Sequence, residues 1–285
     1  MEVNVKKTNI LLLVFSSLIL MVSIFFATQD TGLPAAKAES AVPRQAAALL
    51  SEEKIVDEYL ALANVAKQSL DTYQGWVKIT TTTIWGEEDI AYYPDLSGPL
   101  PTNQYTTESW YYLGEDQYVL ESVLITRFEN RDTKQEESFV IAFKDGISRA
   151  LGYEEMYSTV QEMEPYPLSF GVSFETDFIA NRHLYDFQRG EARVDGKPCV
   201  EFTARTKSAE QANMKAKIEA GELEGVKDAG LNISYCLDPE TGFLKQINDV
   251  RVDAAGNEHF FMQIQVSDIE FVGQLPAEIA QYLDQ

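Results

Sequence analysis

In a chain of 285 residues, 45 acidic side chains against 23 basic ones leave a net charge of −22. Such a surface repels phosphate backbones and anionic headgroups, which excludes nucleic acid as a partner and favours solubility. With only two histidines and two cysteines, and no tightly spaced ligand pair among them, a zinc site has no basis in the sequence.

The N-terminus sets the compartment. Lys6 and Lys7 precede Ile10–Ala27, a run without charge whose only polar side chains are Ser16, Ser17 and Ser23. This pattern predicts a signal peptide, with Ala36-Lys37-Ala38 as the small-x-small cleavage site and Glu39 as the first mature residue. The run also reaches the lower length limit for crossing a bilayer, so an uncleaved N-terminal membrane anchor is the other reading. Both put the remainder outside the cytoplasmic membrane, because the lysines stay in the cytoplasm. Cleavage removes Lys6, Lys7, Lys37, Glu2 and Asp30, which leaves 20 basic and 43 acidic residues, or −23. No cysteine lies near the segment, which excludes lipid attachment of the lipoprotein type.

Residues 39–50 continue a stretch rich in Ala, Gln and Pro and read as a linker. Residues 51–285 are expected to form one domain. Ser51 stands at an N-cap position with Glu52 and Glu53 behind it. Ile55, Tyr59, Leu62 and Ala66 follow at helical spacing, which predicts one amphipathic helix over 52–70.

The period then changes to two. Residues 74–85, 104–113, 117–129 and 136–144 alternate and are separated by turn residues such as Gly114-Glu115-Asp116 and Asp145-Gly146. They predict consecutive antiparallel strands. Residues 86–103 read as a long loop, and 150–180 as aromatic, weakly periodic segments. Strands follow over 187–191 and 192–205, with a turn at Asp195-Gly196-Lys197-Pro198, and a polar helix over 208–220. A strand over 231–237, the turn Asp238–Gly242, a hairpin over 243–252 and 258–271, and a terminal helix after Pro276 complete the chain. The apolar alternation slips near Ser267-Asp268, where a bulge is expected. The total is about nine strands. The fold class is α+β: a large curved antiparallel sheet with helices packed on its concave side.

Catalytic signatures are absent: there is no HExxH, G-x-S-x-G or phosphate-binding loop. Glu136-Glu137 and Glu154-Glu155 are adjacent pairs, and neighbours on a strand face opposite sides, so neither makes a dyad. No catalytic residue, metal or cofactor is expected. The apolar strand positions Ile79, Leu120, Leu124, Phe139, Ile141, Phe143, Phe202, Tyr235, Met262 and Ile264 are expected to point to one interior side. There they either fill a core or line a hollow.

The order of an export segment, a helix, Tyr73-Gln74-Gly75-Trp76, a meander, the turn Asp238-Pro239-Glu240-Thr241-Gly242 and the ending Leu275-Pro276 resembles one bacterial superfamily. Its members include the lipoprotein carriers LolA and LolB, the mycobacterial LppX group and the N-terminal domain of the RseB/MucB regulators. The resemblance implies an incomplete β-barrel, half open and plugged by helices. It also implies a non-catalytic extracytoplasmic protein that holds a lipid, lipopeptide or acyl chain in an apolar hollow. The alternatives are an envelope-stress or protein-binding regulator on the same scaffold, with a membrane or envelope protein as partner, and a secreted hydrolase with carboxylates gathered only by the fold. The loop 86–103 and the segment 150–180 have no counterpart in that pattern.

Cys199 and Cys236 fall on the polar sides of their strands, and an exported protein can oxidise them. If the two strands are antiparallel neighbours with a constant index sum of 435, the cysteines oppose each other and Arg205 opposes Gly230. Free thiols are the other outcome.

Overall fold

The computed structural model describes residues 50–86, 101–130, 133–151, 160–168, 174–223 and 225–285. The export or anchor segment, the linker up to residue 49, most of the loop 86–103 and parts of 150–180 lie outside the described residues. Among the described residues no helix is long and apolar enough to cross a membrane.

The helix α1 spans Glu52–Asp71, where its spacing predicts it. Ser51 is extended and its hydroxyl accepts the Lys54 N–H at 3.5 Å, while Glu52 and Glu53 complement the positive end of the helix dipole. The stripe Ile55, Val56, Tyr59, Ala66 and Leu70 is buried.

Among the described residues twelve strands follow: β1 (Gly75–Trp85), β2 (Pro101–Leu113), β3 (Tyr118–Asn130), β4 (Glu136–Lys144), β5 (Ile147–Leu151), β6 (Val160–Glu162), β7 (Tyr166–Pro167), β8 (Tyr185–Val194), β9 (Lys197–Thr206), β10 (Asp228–Leu237), β11 (Leu244–Asp253) and β12 (Glu258–Val272). They form one open antiparallel sheet in the order β6-β5-β4-β3-β2-β1-β12-β11-β10-β9-β8, with β7 paired separately to β3. The strands beyond the predicted nine are short and do not alternate; all five residues of β5 are half-buried. A two-residue turn makes β5: Asp145 and Gly146 have φ of 53° and 75°, the left-handed pair a tight hairpin requires. Asp195 and Gly196, at 50° and 76°, do the same between β8 and β9, so β8 runs on to Val194.

The bulge expected in β12 is at Ser267. Thr80 faces Asp268 and Thr81 faces Val266, leaving Ser267 unopposed, with its hydroxyl donating to the Thr80 carbonyl at 3.2 Å.

The two faces of the sheet carry different layers. On the inner face α1 and a π-helical turn, Phe174–Ile179, cover β8–β11; Tyr59, Phe174, Phe178, Phe202 and Tyr235 are almost wholly buried there. Leu70, at the other end of α1, joins Val77, Ile79, Tyr111 and Leu113. On the outer face, Trp76, Trp110, Val123, Ile125, Val140 and Ala142 pack under Ile279 of the short helix α3 (Ala277–Ala280) and Leu283 just beyond it. The second helix, α2 (Ser208–Glu219), connects β9 to β10 and buries no residue.

The turn between β10 and β11 pins α1. Asp238 accepts the backbone N–H groups of Glu240 and Thr241 at 2.9 Å each and pairs with Lys245 at 2.8 Å. Partial burial pushes the Asp238 carboxyl up, but the bonds from Lys245, Thr241 and Glu240 outweigh it and hold it at about 2. Gly242, at φ +70°, lies against the helix backbone: a Cβ there would stand 1.9 Å from the Leu62 carbonyl oxygen. Only glycine fits both the conformation and the approach.

Cys199 and Cys236 form a disulfide on the outer face, with Cα atoms 5.6 Å apart. The register differs from the expected one. Cys236 faces Glu201 and Asn232 faces Arg205, an index sum of 437 in place of 435, so the bridge runs diagonally between β9 and β10. No tight turn links these strands; the chain leaves through α2, and nothing local fixes the register to the residue.

Candidate functional site

Opposed residues on neighbouring strands share a face, so the pairing traces the inner surface row by row. Ile79 faces Ser109, Ser109 faces Leu124, and Leu124 faces Ile141. Phe143 faces Ser122 one row away, and Phe139 faces Thr126 on the other side. Ile264 faces Thr83 and Ile247, Ile247 faces Tyr235, and Tyr235 faces Phe202. Met262 faces Trp85 and Asp249. Nine of the ten residues therefore share the inner face, part of which α1 covers.

Leu120 does not. The β2–β3 register shifts between Tyr112 and Leu113, Leu113 opposes Val119, and Leu120 is left 41% exposed with its Cδ1 over Gly114. Val119, fully buried, takes the interior place. An extra residue flips the alternation at that point.

Helix α1 crosses the inner face obliquely. Its first turns lie near Arg182, His183 and Lys207, beside the start of β8 and the end of β9. Its last turn meets the start of β1, and Gln117 donates to Asp71 there. The opposite corner of the face is formed by the end of β1, the start of β2, the end of β3, the start of β4 and the start of β12. Phe128, Phe139 and Met262 are buried there but belong to neither of the apolar clusters that α1 helps to build. Phe128 and Phe139 have ring centroids 6.3 Å apart. Hydroxyls share this corner: Thr107 and Thr126 approach at 3.0 Å, and Thr83 is 1% exposed.

Charged groups share it as well. Asp249 is 3% exposed, and its Oδ2 accepts from the Arg251 guanidinium at 2.7 Å. The Arg251 guanidinium stacks 4.3 Å above the Phe261 ring, and Phe261 in turn meets Trp85 edge-on at 5.5 Å. Next to it His259 pairs with Asp228 at 3.6 Å. Burial pushes the Asp249 carboxyl up against the pull of Arg251, and burial raises Asp228 against His259. Among the described residues, four buried side-chain polar atoms have no hydrogen-bond partner: Thr83 Oγ1, Glu137 Oε2, Asp249 Oδ1 and Arg251 Nε. All four belong to this face. Thr83, Tyr105, Phe128 and Glu137 oppose one another in a single row, and Asp249 and Arg251 occupy the next positions along β11 from Ile247.

Sequence reasoning drew the lining from apolar residues alone and passed over these. A signal was present: Ile247, Asp249 and Arg251 recur at period two and so share one side of β11. No group of three or more His, Cys, Asp or Glu among the described residues is arranged to hold a metal. His183 is exposed and lines an open cleft of about 470 Å³ with Glu52, Glu53, Val56, Arg182 and Lys207. A second cleft, of about 360 Å³, lies on the outer side between Trp76, Tyr112 and Leu283. Neither includes any of the ten expected lining residues. The inner corner is chemically a mixed, buried set of apolar and hydrogen-bonding groups.

No family model matches the chain, and no curated protein matches it. Among solved structures it is similar to LprF from Mycobacterium bovis, at 10% identity and a TM-score of 0.35, over 78% of this chain and 98% of that one. It is also similar to a β-barrel-like protein of a domain of unknown function from Brucella abortus, at 8% identity and a TM-score of 0.21, over 70% of this chain and 98% of that one.

Proposed function

We propose that this chain is a non-catalytic, exported binding protein that holds a lipid, lipopeptide or other apolar ligand against the inner face of its sheet. The observation that carries this reading is the inner corner itself, where the buried, inward-facing Phe128, Phe139 and Met262 stand beside buried polar atoms without a hydrogen-bond partner. An acyl chain laid there gains about 0.8 kcal/mol for each methylene removed from water, which offsets the cost of association. In this reading the N-terminal segment exports the chain across the cytoplasmic membrane, leaving it free after cleavage or held by residues 10–27. Titration with a fluorescent acyl-chain probe tests the reading. Binding is expected to saturate at one probe per chain, and Phe139→Asp is expected to weaken it at least tenfold by placing a charge in the corner. Binding that never saturates, or that the substitution leaves unchanged, refutes it.

A further inference from the structure

The inner face holds its apolar and its unpartnered polar groups side by side, and the polar ones have a definite chemistry. Asp249 Oδ1 is an acceptor without a donor, and Arg251 Nε is a donor without an acceptor; both are buried. They flank one ion pair, Arg251 to Asp249 Oδ2 at 2.7 Å, that cancels their charge and is held from above by Phe261. A buried donor or acceptor left unmade costs about 1–3 kcal/mol, so each of these atoms gains from a partner that reaches it. A neutral group that donates one hydrogen bond and accepts another completes both at once. A charged group would unbalance a pair that is already neutral. The flank of the pair is partly exposed: the side chains of Arg251, Asp228 and His259 are 18%, 26% and 33% exposed, whereas Asp249 lies behind them at 5%. Met262, opposite Asp249, is an unbranched and adaptable neighbour on the ligand's side.

We infer that the Asp249–Arg251 pair is a subsite for the hydroxyl-bearing head of an amphiphile whose chain lies along Phe128 and Phe139. The inference rests on the apolar-ligand reading above and adds the polarity and orientation of the ligand: the head lies at the end of β11, and the chain runs across β12 and β1 toward β3 and β4. Thr83, with its own unpartnered hydroxyl, sits between the two regions and can take a second hydroxyl.

Two probes of one chain length separate the possibilities. The purified chain, loaded with a fluorescent acyl probe, is titrated with 1-dodecanoylglycerol and with methyl dodecanoate, which share the chain but differ in the head hydroxyls. The glycerol ester is expected to displace the label at a concentration roughly 10- to 30-fold lower, as two completed hydrogen bonds imply. The double variant Asp249→Leu/Arg251→Met replaces both partners by apolar groups of similar size, a change that buried ion pairs tolerate. It is expected to abolish the preference while the methyl ester binds as before. Equal displacement by the two esters in the wild-type chain overturns the inference and leaves the apolar-ligand reading standing; water then suffices at the pair. A preference that survives the double substitution also overturns it. Failure of both esters to displace the probe refutes the apolar-ligand reading itself.

Discussion

Substituting Gly242 by alanine separates the cost of a backbone conformation from the cost of a contact, because the fold supplies a control. Gly256 has φ +88° and nothing within 4 Å of an added Cβ, whereas Gly242 has φ +70° and would place that Cβ 1.9 Å from the Leu62 carbonyl oxygen and 3.1 Å from the Ala66 nitrogen. A left-handed conformation costs an L-residue about 1–2 kcal/mol, partly offset by about 0.4–1 kcal/mol of lost freedom in the unfolded chain. Gly256→Ala is therefore expected to destabilise by about 1 kcal/mol. Gly242→Ala bears the same term and must also move α1 by roughly 1 Å or more, since non-bonded heavy atoms settle near 3.5 Å. Overpacking of that kind adds about 1–3 kcal/mol, for a total of about 2–4 kcal/mol. Urea unfolding of the oxidised protein at neutral pH, followed by tryptophan fluorescence, reads both values; the Gly242 variant is expected to unfold about 1 M earlier than the Gly256 variant. Equal midpoints would refute the docking of this turn against α1.

Asp238 links the same turn to pH. Its carboxyl titrates at about 2 in the folded state against an ordinary 3.8, so folding favours the charged form. That stabilisation, about 2 kcal/mol for a side chain 22% exposed, is complete above pH ~5 and disappears as pH falls toward 2. Urea melts of wild type and Asp238→Asn are expected to differ at pH 7 and to converge near pH 2. The disulfide closes a loop with a sequence separation of 37, worth about 4 kcal/mol in the chain-entropy account, so Cys199→Ser/Cys236→Ser is expected to lose that much in the same assay. Its outer-face position predicts unchanged acyl-probe affinity. Leu120→Ala at the β3 bulge is expected to cost under about 1 kcal/mol, and Leu113→Ala, fully buried beside Val119, about 2–5 kcal/mol, again by urea midpoint.

How much of this was legible in the sequence depends on whether a local rule operates at the residue concerned. Ser51, the stripe from Ile55 to Leu70 and the turn at Asp195-Gly196 obey short-range rules, and they stand where expected. The slip from Val266 to Ile269 announced the bulge at Ser267 because the apolar period itself broke there. At Leu120 no break is visible, since Val119 and Leu120 are both apolar and either could face inward; the choice is made by pairing with β2. The β9–β10 register is likewise set across the sheet and not along the chain. Asp249 and Arg251 went unnoticed because the interior was sought among apolar residues, and a neutral ion pair can take a place there once its charges cancel.

The strand order carries a consequence for how the protein forms. β1–β6 and β8–β12 are two meanders in which every pairing joins neighbours in sequence, apart from the helix-spanning link of β9 to β10. The seam between the two halves, β1 against β12, joins residues near 76 to residues near 272. Each half can assemble from its own hairpins in rapid local steps, but the seam must wait for the last strand to emerge, and its closure entropy makes it slow. Until then β1 and β11 present bare strand edges, the kind that pair with other chains. A chain that stops before Glu258 is therefore expected to aggregate rather than merely to lose stability. New termini placed in the β6–β8 connection, with the original ends joined, would turn the seam into a local pairing and quicken folding.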